Sequence, residues 1–330
     1  MKTISILVPC YNEEKNIEPM VQILCDIMKT YEGKYGYEII LRDNASTDRS
    51  EDVIRRVTKD NKRVKAILNA RNFGISALKN TFIGRISGDV CIFIPCDFQE
   101  PPELIPEFIK CWEDGYEVVC GQKTGSKEGP VKYGLRQLYY SIIGAFSDIP
   151  QYRNISGITL LSRRIWDMKW EHDRDEPLRY FLADIGCEIK LIPYEQQKRR
   201  SGKSSYNIWR YLSFAIDSMI ATSTVPLRIA TVAGFCMSVL SFLIGLFYLI
   251  AKIVWWYRFP AGTAPLLIGM FFIGSIQLLF IGIVGEYVGN VLRKVTPNNP
   301  AIVKELINFE NAGEDPYIVK EVQQKTVQKD

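Results

Sequence analysis

The sequence predicts an α/β domain on a mostly parallel sheet, followed by a two-helix transmembrane hairpin. Three observations predict it. Apolar runs of strand length alternate with helically spaced apolar residues through the first hundred residues;. Each early strand-like run stops at a polar loop. Two long segments nearer the C-terminus carry no charge at all;.

In order, Thr3 to Val8 reads as a strand and Glu14 to Thr30 as a helix, with Ile17, Met20, Val21, Leu24, Ile27 and Met28 on one face;. Tyr37 to Leu41 is a strand, Ser50 to Asp60 a helix, Val64 to Leu68 a strand, Ser76 to Ile86 a helix and Val90 to Ile94 a strand. Repeated βα units with apolar strands imply parallel pairing with helices on both faces. Ligands of such sheets bind at the carboxyl ends of the strands. Neither a GxGxxG nor a Walker A segment is present, so dinucleotide and P-loop chemistry are not favoured;.

The charge-free segments are Ile229 to Ala251 and Phe259 to Gly285. At 1.5 Å per residue the first reaches roughly 35 Å, enough to cross a bilayer core. Trp255, Trp256 and Tyr257 sit between the two, as interfacial aromatics do;. Lys198, Arg199, Arg200, Lys203, Arg210 and Arg228 precede the hairpin and Arg293 and Lys294 follow it, against Lys252 and Arg258 in the loop. That asymmetry predicts a cytoplasmic domain over residues 1–225, spans within 226–292 and a cytoplasmic tail over 293–330. Two amphipathic stretches, Leu135 to Phe146 and Trp209 to Ile220, suit either the sheet or the membrane interface;. The polar tail after Pro297 reads as disordered;.

Composition narrows the chemistry. The 330 residues are 47% hydrophobic and 24% charged, an ordinary average that hides the split near residue 225;. A net charge of +4 is too small to argue for nucleic acid;. The eight cysteines form no CxxC pair, so reduced, buried thiols are expected;. His172 is the one histidine, which argues against a His-based triad or a His-rich metal site. The apolar run at the N-terminus is short, stops at Pro9 and reads as a strand, not a signal peptide;.

Four polar loops would meet at one sheet edge: Pro9 to Glu14, Arg42 to Asp48, Asn69 to Gly74 and Pro95 to Glu103. Singly, each has a structural use. Ser46 to Asp48 and Asp97 could cap helices, and Glu13 and Glu14 could face a helix dipole. Together they resemble the family 2 glycosyltransferases, in particular those that use polyprenyl phosphate, the dolichyl-phosphate mannose synthase and bactoprenol glucosyltransferase kind. The resemblance rests on Pro9, Tyr11, Asn12, Glu13 and Glu14; on Asp43 to Asp48, similar to DDGSTD; on Asn72-Phe73-Gly74; on Asp97 to Glu103, similar to DLQDPPE; on Arg199 to Tyr206, similar to RxxGxSKY; and on Gly285-Glu286-Tyr287. It covers residues 1 to about 295.

The resemblance implies a GT-A-type fold and a sugar transfer from a nucleotide-sugar donor, UDP-glucose first and UDP-N-acetylhexosamine second, to a polyprenyl-phosphate lipid at a bacterial plasma membrane. It implies donor contacts by Pro9, Tyr11, Glu14 and Asp43. Mg²⁺ or Mn²⁺ would lie on Asp97 and Gln99, hard oxygen donors suited to a diphosphate-bound cation. Arg199, Arg200, Lys203 and Ser204 would take the acceptor phosphate, with Asp97, Arg200 and Lys203 closest to the chemistry. The same cations also suit an anionic membrane surface. The resemblance also implies a homo-oligomer, up to a tetramer, and Gly282, Gly285 and Gly289 on one helix face fit such an assembly;.

Three positions depart from the family pattern: Pro95, Asn44 and Gly157 stand where it has carboxylates. A phosphate acceptor tolerates the loss of a general base, being already an anion near pH 7 with a second pKa of about 6. Two rival readings are a membrane-bound scaffold that binds nucleotide or lipid without turnover, motivated by the lost acids, and a polysaccharide synthase. The second lacks a QxxRW segment, since Arg163-Arg164-Ile165-Trp166 is not one.

Overall fold

The structure, a computed structural model, describes residues 1–74, 81–82, 84–125, 155–171, 178, 181–182, 185–197, 225–254, 263–295, 301–310 and 318. Contacts divide the chain into two units. The first comprises Met1–Tyr133, Gln151–Ser205 and Asn298–Asp330, and the second Gly134–Pro150 and Tyr206–Pro297.

The first unit is built on a mixed sheet. Its strands are β1 (Thr3–Cys10), β2 (Gly36–Asp43), β3 (Val64–Asn69), β4 (Val90–Phe93), β5 (Val118–Gly125), β6 (Ile155–Ser162), β7 (Ile189–Glu195) and β8 (Val303–Ile307). Their order is β7-β5-β6-β4-β1-β2-β3-β8. The central run β3-β2-β1-β4 is parallel, as expected from its βα repeats. β6 and β8 run antiparallel to their neighbours. Helices α1 (Ile17–Lys29), α2 (Ser50–Asp60), α3 (Ile105–Glu113) and α4 (Arg163–Glu171) accompany the sheet.

Strand alternation divides the apolar side chains between two cores. Ile4, Ile6, Val8, Ile39 and Leu41 face one side, where Met20, Leu24, Ile54 and Phe108 of α1, α2 and α3 cover them. Leu7, Ile40 and Ile67 face the other, with Ile165 and Trp166 of α4;. α1 buries Ile17, Met20, Val21, Leu24, Cys25 and Met28, the stripe its spacing predicts;. It begins at Ile17, later than Glu14, because the Asn16 amide donates to the Glu13 carbonyl in a turn before the helix (2.8 Å). The predicted helix from Ser76 to Ile86 lies mostly outside the described residues.

Glu38 ties four parts of the sheet together near its amino ends. Its carboxylate accepts from Ser5 Oγ of β1 (2.5 Å), Lys65 Nζ of β3 (2.6 Å) and the Ser87 amide before β4 (2.8 Å). Burial pushes this carboxyl up, but the bonds from Lys65, Ser5 and Ser87 outweigh it and hold the pKa below the usual value;.

The expectation of a disordered tail after Pro297 is corrected for residues 301–310. Val303–Ile307 forms β8, antiparallel to β3 on the sheet edge. Its alternation buries Val303 and sends Lys304 to Glu51 (3.0 Å). Glu305 meets Arg55 of α2 at 2.5 Å. Asn308, at φ 65°, closes the strand by donating its amide to the Thr58 and Val64 carbonyls (2.7 and 2.8 Å). Backbone pairing with an open edge outweighs the polar composition that suggested disorder.

The second unit contains two long helices, α5 (Val225–Val254) and α6 (Thr263–Val295). Phe280 packs on Gly234, where an added Cβ would meet the ring at 3.3 Å. Phe272–Gly289 is long and apolar enough to cross a membrane by length and composition, and none of it is buried. Leu266, Leu278 and Ile281 on α6, and Phe235 and Ile253 on α5, are exposed. Within the second charge-free segment, Phe259 to Gly285, the described residues from Thr263 are helical, and the helix continues through Glu286 to Val295. The two amphipathic stretches, the loop aromatics and His172 lie outside the described residues.

Candidate active site

The parallel strands carry their polar loops to one edge. Cys10 at the end of β1 is paired with Asp43 at the end of β2. Leu7 is paired with Phe93 at the end of β4, and the Ile94 amide continues that pairing to the Leu7 carbonyl (3.0 Å). β2 and β3 extend to one side of β1 and β4 lies on the other, so the carboxyl ends of β1 and β4 form the switch point of the topology, where ligands of such sheets bind;.

The loops after β1 and β2 are bonded into one unit. Asn12, at φ 57°, receives the Thr47 amide on its Oδ1 (2.8 Å) and sends its own amide to Ser46 Oγ (2.8 Å). Asp43 is buried and accepts from the Ser46 hydroxyl (2.5 Å) and amide (3.1 Å). Burial raises its pKa, partly offset by those bonds. The described bonds of Asp43 therefore hold the loop. Glu14 is half-buried and receives the Arg49 amide at 3.2 Å. Asp48 Oδ1 accepts the Ser50 amide at the start of α2 (2.9 Å). Tyr11 is 40% exposed, and Pro9 is half-buried on β1 beside it. Among the expected donor residues, Tyr11 is thus exposed, Pro9 and Glu14 are half-buried and Asp43 is buried.

Asn44, at a position with an expected carboxylate, joins the loops after β2 and β3. Its Oδ1 accepts from Arg42 Nη2 and the Phe73 amide (3.2 Å each), and its Nδ2 donates to Asn72 Oδ1 (2.9 Å). The Asn69 side-chain amide packs against both, 3.0 Å from Asn44 Oδ1 and 2.9 Å from Arg42 Nη2. Arg42 is 2% exposed, and burial pulls its pKa down to about 10. Arg71 stacks over the Phe73 ring, 4.3 Å from its centroid;.

The loop after β4 carries Asp97, 7% exposed, whose Oδ1 accepts the Gln99 amide at 3.2 Å. Phe98, at φ 59°, turns the chain between them. Cys96 just before it meets Cys10, and that hydrogen bond together with burial pushes the Cys10 thiol well above its usual range, so it stays a thiol;. Among the described residues no three His, Cys, Asp or Glu side chains gather around a point. One carboxylate and one amide oxygen on a single turn nevertheless fit a cation that takes its other ligands from a diphosphate and water, as Mg²⁺ does. The Gln197 amide donates to the Gln99 carbonyl at 3.1 Å. The strand feeding the basic run thus ends at this turn; Arg199, Arg200, Lys203 and Ser204 themselves lie outside the described residues.

Glu100 completes the site and was not singled out by sequence. It is 3% exposed, and Tyr194 Oη donates to its Oε1 at 3.1 Å, with Lys123 Nζ 3.9 Å from the same oxygen. Burial raises its pKa, and Lys123 opposes the rise. Asn12 and Arg42 were likewise passed over as site residues. The legible signal for Arg42 was a charge closing an otherwise apolar strand.

Residues 5–174 match the family described as Glycosyl transferase family 2. The chain belongs to glycosyltransferase family 2. It is therefore a glycosyltransferase with the mostly parallel GT-A-type sheet. The family 2 relatives span nearly the whole chain. An uncharacterized glycosyltransferase, sll0501, of Synechocystis is 29% identical over 93% of this chain and 96% of its own length. YkcC of Bacillus subtilis, also an uncharacterized glycosyltransferase, is 30% identical over 93% and 95%. The SfII prophage-derived bactoprenol glucosyl transferase of Shigella flexneri is 28% identical over 92% and 97%. Among solved structures, a glucosyl-3-phosphoglycerate synthase from Mycobacterium tuberculosis with Mn²⁺ and UDP covers 66% of this chain and 78% of its own, at 17% identity and a TM-score of 0.43.

Proposed function

We propose that this family 2 enzyme transfers a sugar from a nucleotide-sugar donor to polyprenyl phosphate at the cytoplasmic face of a bacterial plasma membrane, with UDP-glucose as first donor and UDP-N-acetylhexosamine as second. The observation that carries it is the bond between Gln197 and Gln99, which brings the chain leading into the basic run to the turn of Asp97. In this reading donor and acceptor are both held at that edge of the sheet. Relatives called bactoprenol glucosyl transferase support the acceptor class, and the exposed apolar surface of α5 and α6 supports membrane anchoring;.

In this reading Pro9, Tyr11 and Glu14 hold the nucleoside, with Asp43 shaping the loop beneath it. Asp97 and Gln99 hold Mg²⁺ or Mn²⁺. The metal, when bound, offsets charge on the departing diphosphate. Arg199, Arg200, Lys203 and Ser204 hold the acceptor phosphate against repulsion from the donor. A phosphate oxygen forms the new bond to the anomeric carbon as the bond to the nucleoside diphosphate breaks, and the configuration inverts. The acceptor is already ionised, so no side chain need take its proton.

The test is a panel of nucleotide sugars given to the purified protein with one polyprenyl phosphate and Mn²⁺. A lipid-linked monosaccharide is expected from one of them. No lipid product from any donor sinks the reading and favours the non-catalytic scaffold. For the basic run, Arg200→Ala is expected to raise the lipid-phosphate KM or lower kcat with donor affinity little affected. Unchanged kinetics on a water-soluble short prenyl phosphate, for Arg199, Arg200 and Lys203 variants alike, would leave only a membrane-surface role.

A further inference from the structure

We propose that Glu100 is a positioning residue of the transfer site: its carboxylate fills the space above Gly157 and thereby seats the Asp97–Gln99 turn against β5, β6 and β7. This rests on the metal role of that turn given under Proposed function.

The strands are shaped to receive this one group. Gly157 lies in β6 at φ 70°, where the pairing with β5 slips between Cys120 and Gln122;. A Cβ at 157 would lie 2.0 Å from Glu100 Oε1, 2.2 Å from its Cδ and 2.4 Å from its Cγ. No side chain at 157 can coexist with Glu100 as it stands. Gly121 of β5 makes the matching allowance for Tyr194: a Cβ there would meet the tyrosine Cε1 at 2.8 Å and Ile158 Cγ2 at 2.8 Å. The ring so placed brings its hydroxyl to Glu100 (3.1 Å). Lys123, in register with Tyr194 across β5 and β7, approaches the same oxygen at 3.9 Å.

A buried carboxylate is a poor choice for packing alone, because removing its charge from water costs several kcal/mol before partners repay it. Glutamine or methionine would fill the same volume. The carboxylate is also adjacent in sequence to Gln99, and Gln99 is bonded to Gln197 at the foot of the basic run. Holding Glu100 therefore holds the turn on which donor and acceptor sides meet. The acid expected on β6 at position 157 has its carboxyl supplied from the opposite side, by the loop.

The experiment uses the full chain in detergent, with Mn²⁺ and UDP as probes. Free Mn²⁺ is followed by electron paramagnetic resonance in the presence of UDP, and Tm is recorded for each variant. Glu100→Ala is expected to weaken Mn²⁺–UDP binding by about 10-fold or more, the usual effect of losing a group that orients a ligand. The double variant Glu100→Ala/Gly157→Asp returns a carboxylate to the same space from β6, at a backbone conformation aspartate tolerates, and is expected to regain most of that loss. Wild-type affinity in Glu100→Ala, with only its Tm lowered, overturns the proposal. So does a double variant that binds no better than Glu100→Ala. Should Glu100→Ala not fold, Glu100→Gln gives the reading: weaker binding is expected, and unchanged binding overturns it. Failure of every lipid phosphate as acceptor would refute the proposed reaction while leaving this comparison intact. Absence of Mn²⁺–UDP binding by the wild type would remove the metal role and the proposal with it.

Discussion

Asn44 shows how one atom changes what a residue can do. Its amide donates to Asn72 while its oxygen accepts from Arg42 and Phe73, a set no carboxylate can satisfy in full;. Asn44→Leu keeps the volume and leaves the Phe73 amide and the Arg42 guanidinium each an acceptor short. A loss of about 2 kcal/mol in denaturant unfolding is expected, and a change within experimental error would refute the network's role. Asp97→Asn should leave Tm nearly unchanged, since asparagine has the same size and keeps an Oδ1 to accept the Gln99 amide. It should lower turnover and Mn²⁺-dependent donor binding by roughly 100-fold; full activity at limiting Mn²⁺ would remove Asp97 from the metal. Asp97 and Gln99 stand out in the sequence because carboxylate and amide recur in a motif with a chemical reason, and their metal role is the one proposed above. Glu100 was not, because its role depends on a glycine 57 positions away and on a tyrosine 94 away (157 − 100 and 194 − 100). Nothing local to Glu100 distinguishes it from a helix-dipole partner.

Among the elements, the parallel strands were readable because their apolar runs and intervening amphipathic helices follow from burial on both faces;. Their boundaries moved where hydrogen bonds extend a strand past its apolar residues: β2 continues to Asp43 because Cys10 pairs with it. The Glu38 cluster gives this layer a pH signature. The carboxyl's folded pKa is lowered, so its contribution is fully present above the unfolded value near pH 4.3 and is lost as pH falls through the folded value;. Glu38→Gln should therefore lower Tm at pH 7, and the gap to wild type should narrow as pH falls below the unfolded value and close once it passes the folded one;; a gap that stays constant with pH would contradict the assignment. β8 escaped prediction because a five-residue strand in a polar segment has too little pattern to outweigh its composition. Truncation after Pro300 would remove Glu305 from Arg55 and Asn308 from its carbonyls, and bare the edge of β3. Lower Tm and concentration-dependent aggregation are expected; a truncated chain as soluble and stable as the parent would show the strand to be dispensable.

At the scale of the whole molecule, the two long helices were announced by the absence of charge, a signal that survives any uncertainty in packing;. How the chain assembles with copies of itself was not readable beyond a spacing of glycines. Cβ atoms added at Gly282, Gly285 and Gly289 would meet nothing within 4 Å, so this stripe of α6 is open to close approach;. Gly285→Leu should reduce the mass of the assembly measured in nanodiscs, and a wild type that is monomeric there would refute self-association through this face. The place of β8 in the chain order has a consequence for biosynthesis. The ribosome makes β1 to β7, then α5 and α6, and only afterwards the strand that closes the sheet. At synthesis rates of 5–20 residues per second, the interval from β7 to β8 lasts on the order of ten seconds. During that interval the edge of β3 has no partner strand while the two apolar helices are still being made. The first unit therefore reaches its final fold only after both long helices have been synthesised, so a chaperone that shields an open β-edge would raise the yield of this enzyme in cells;.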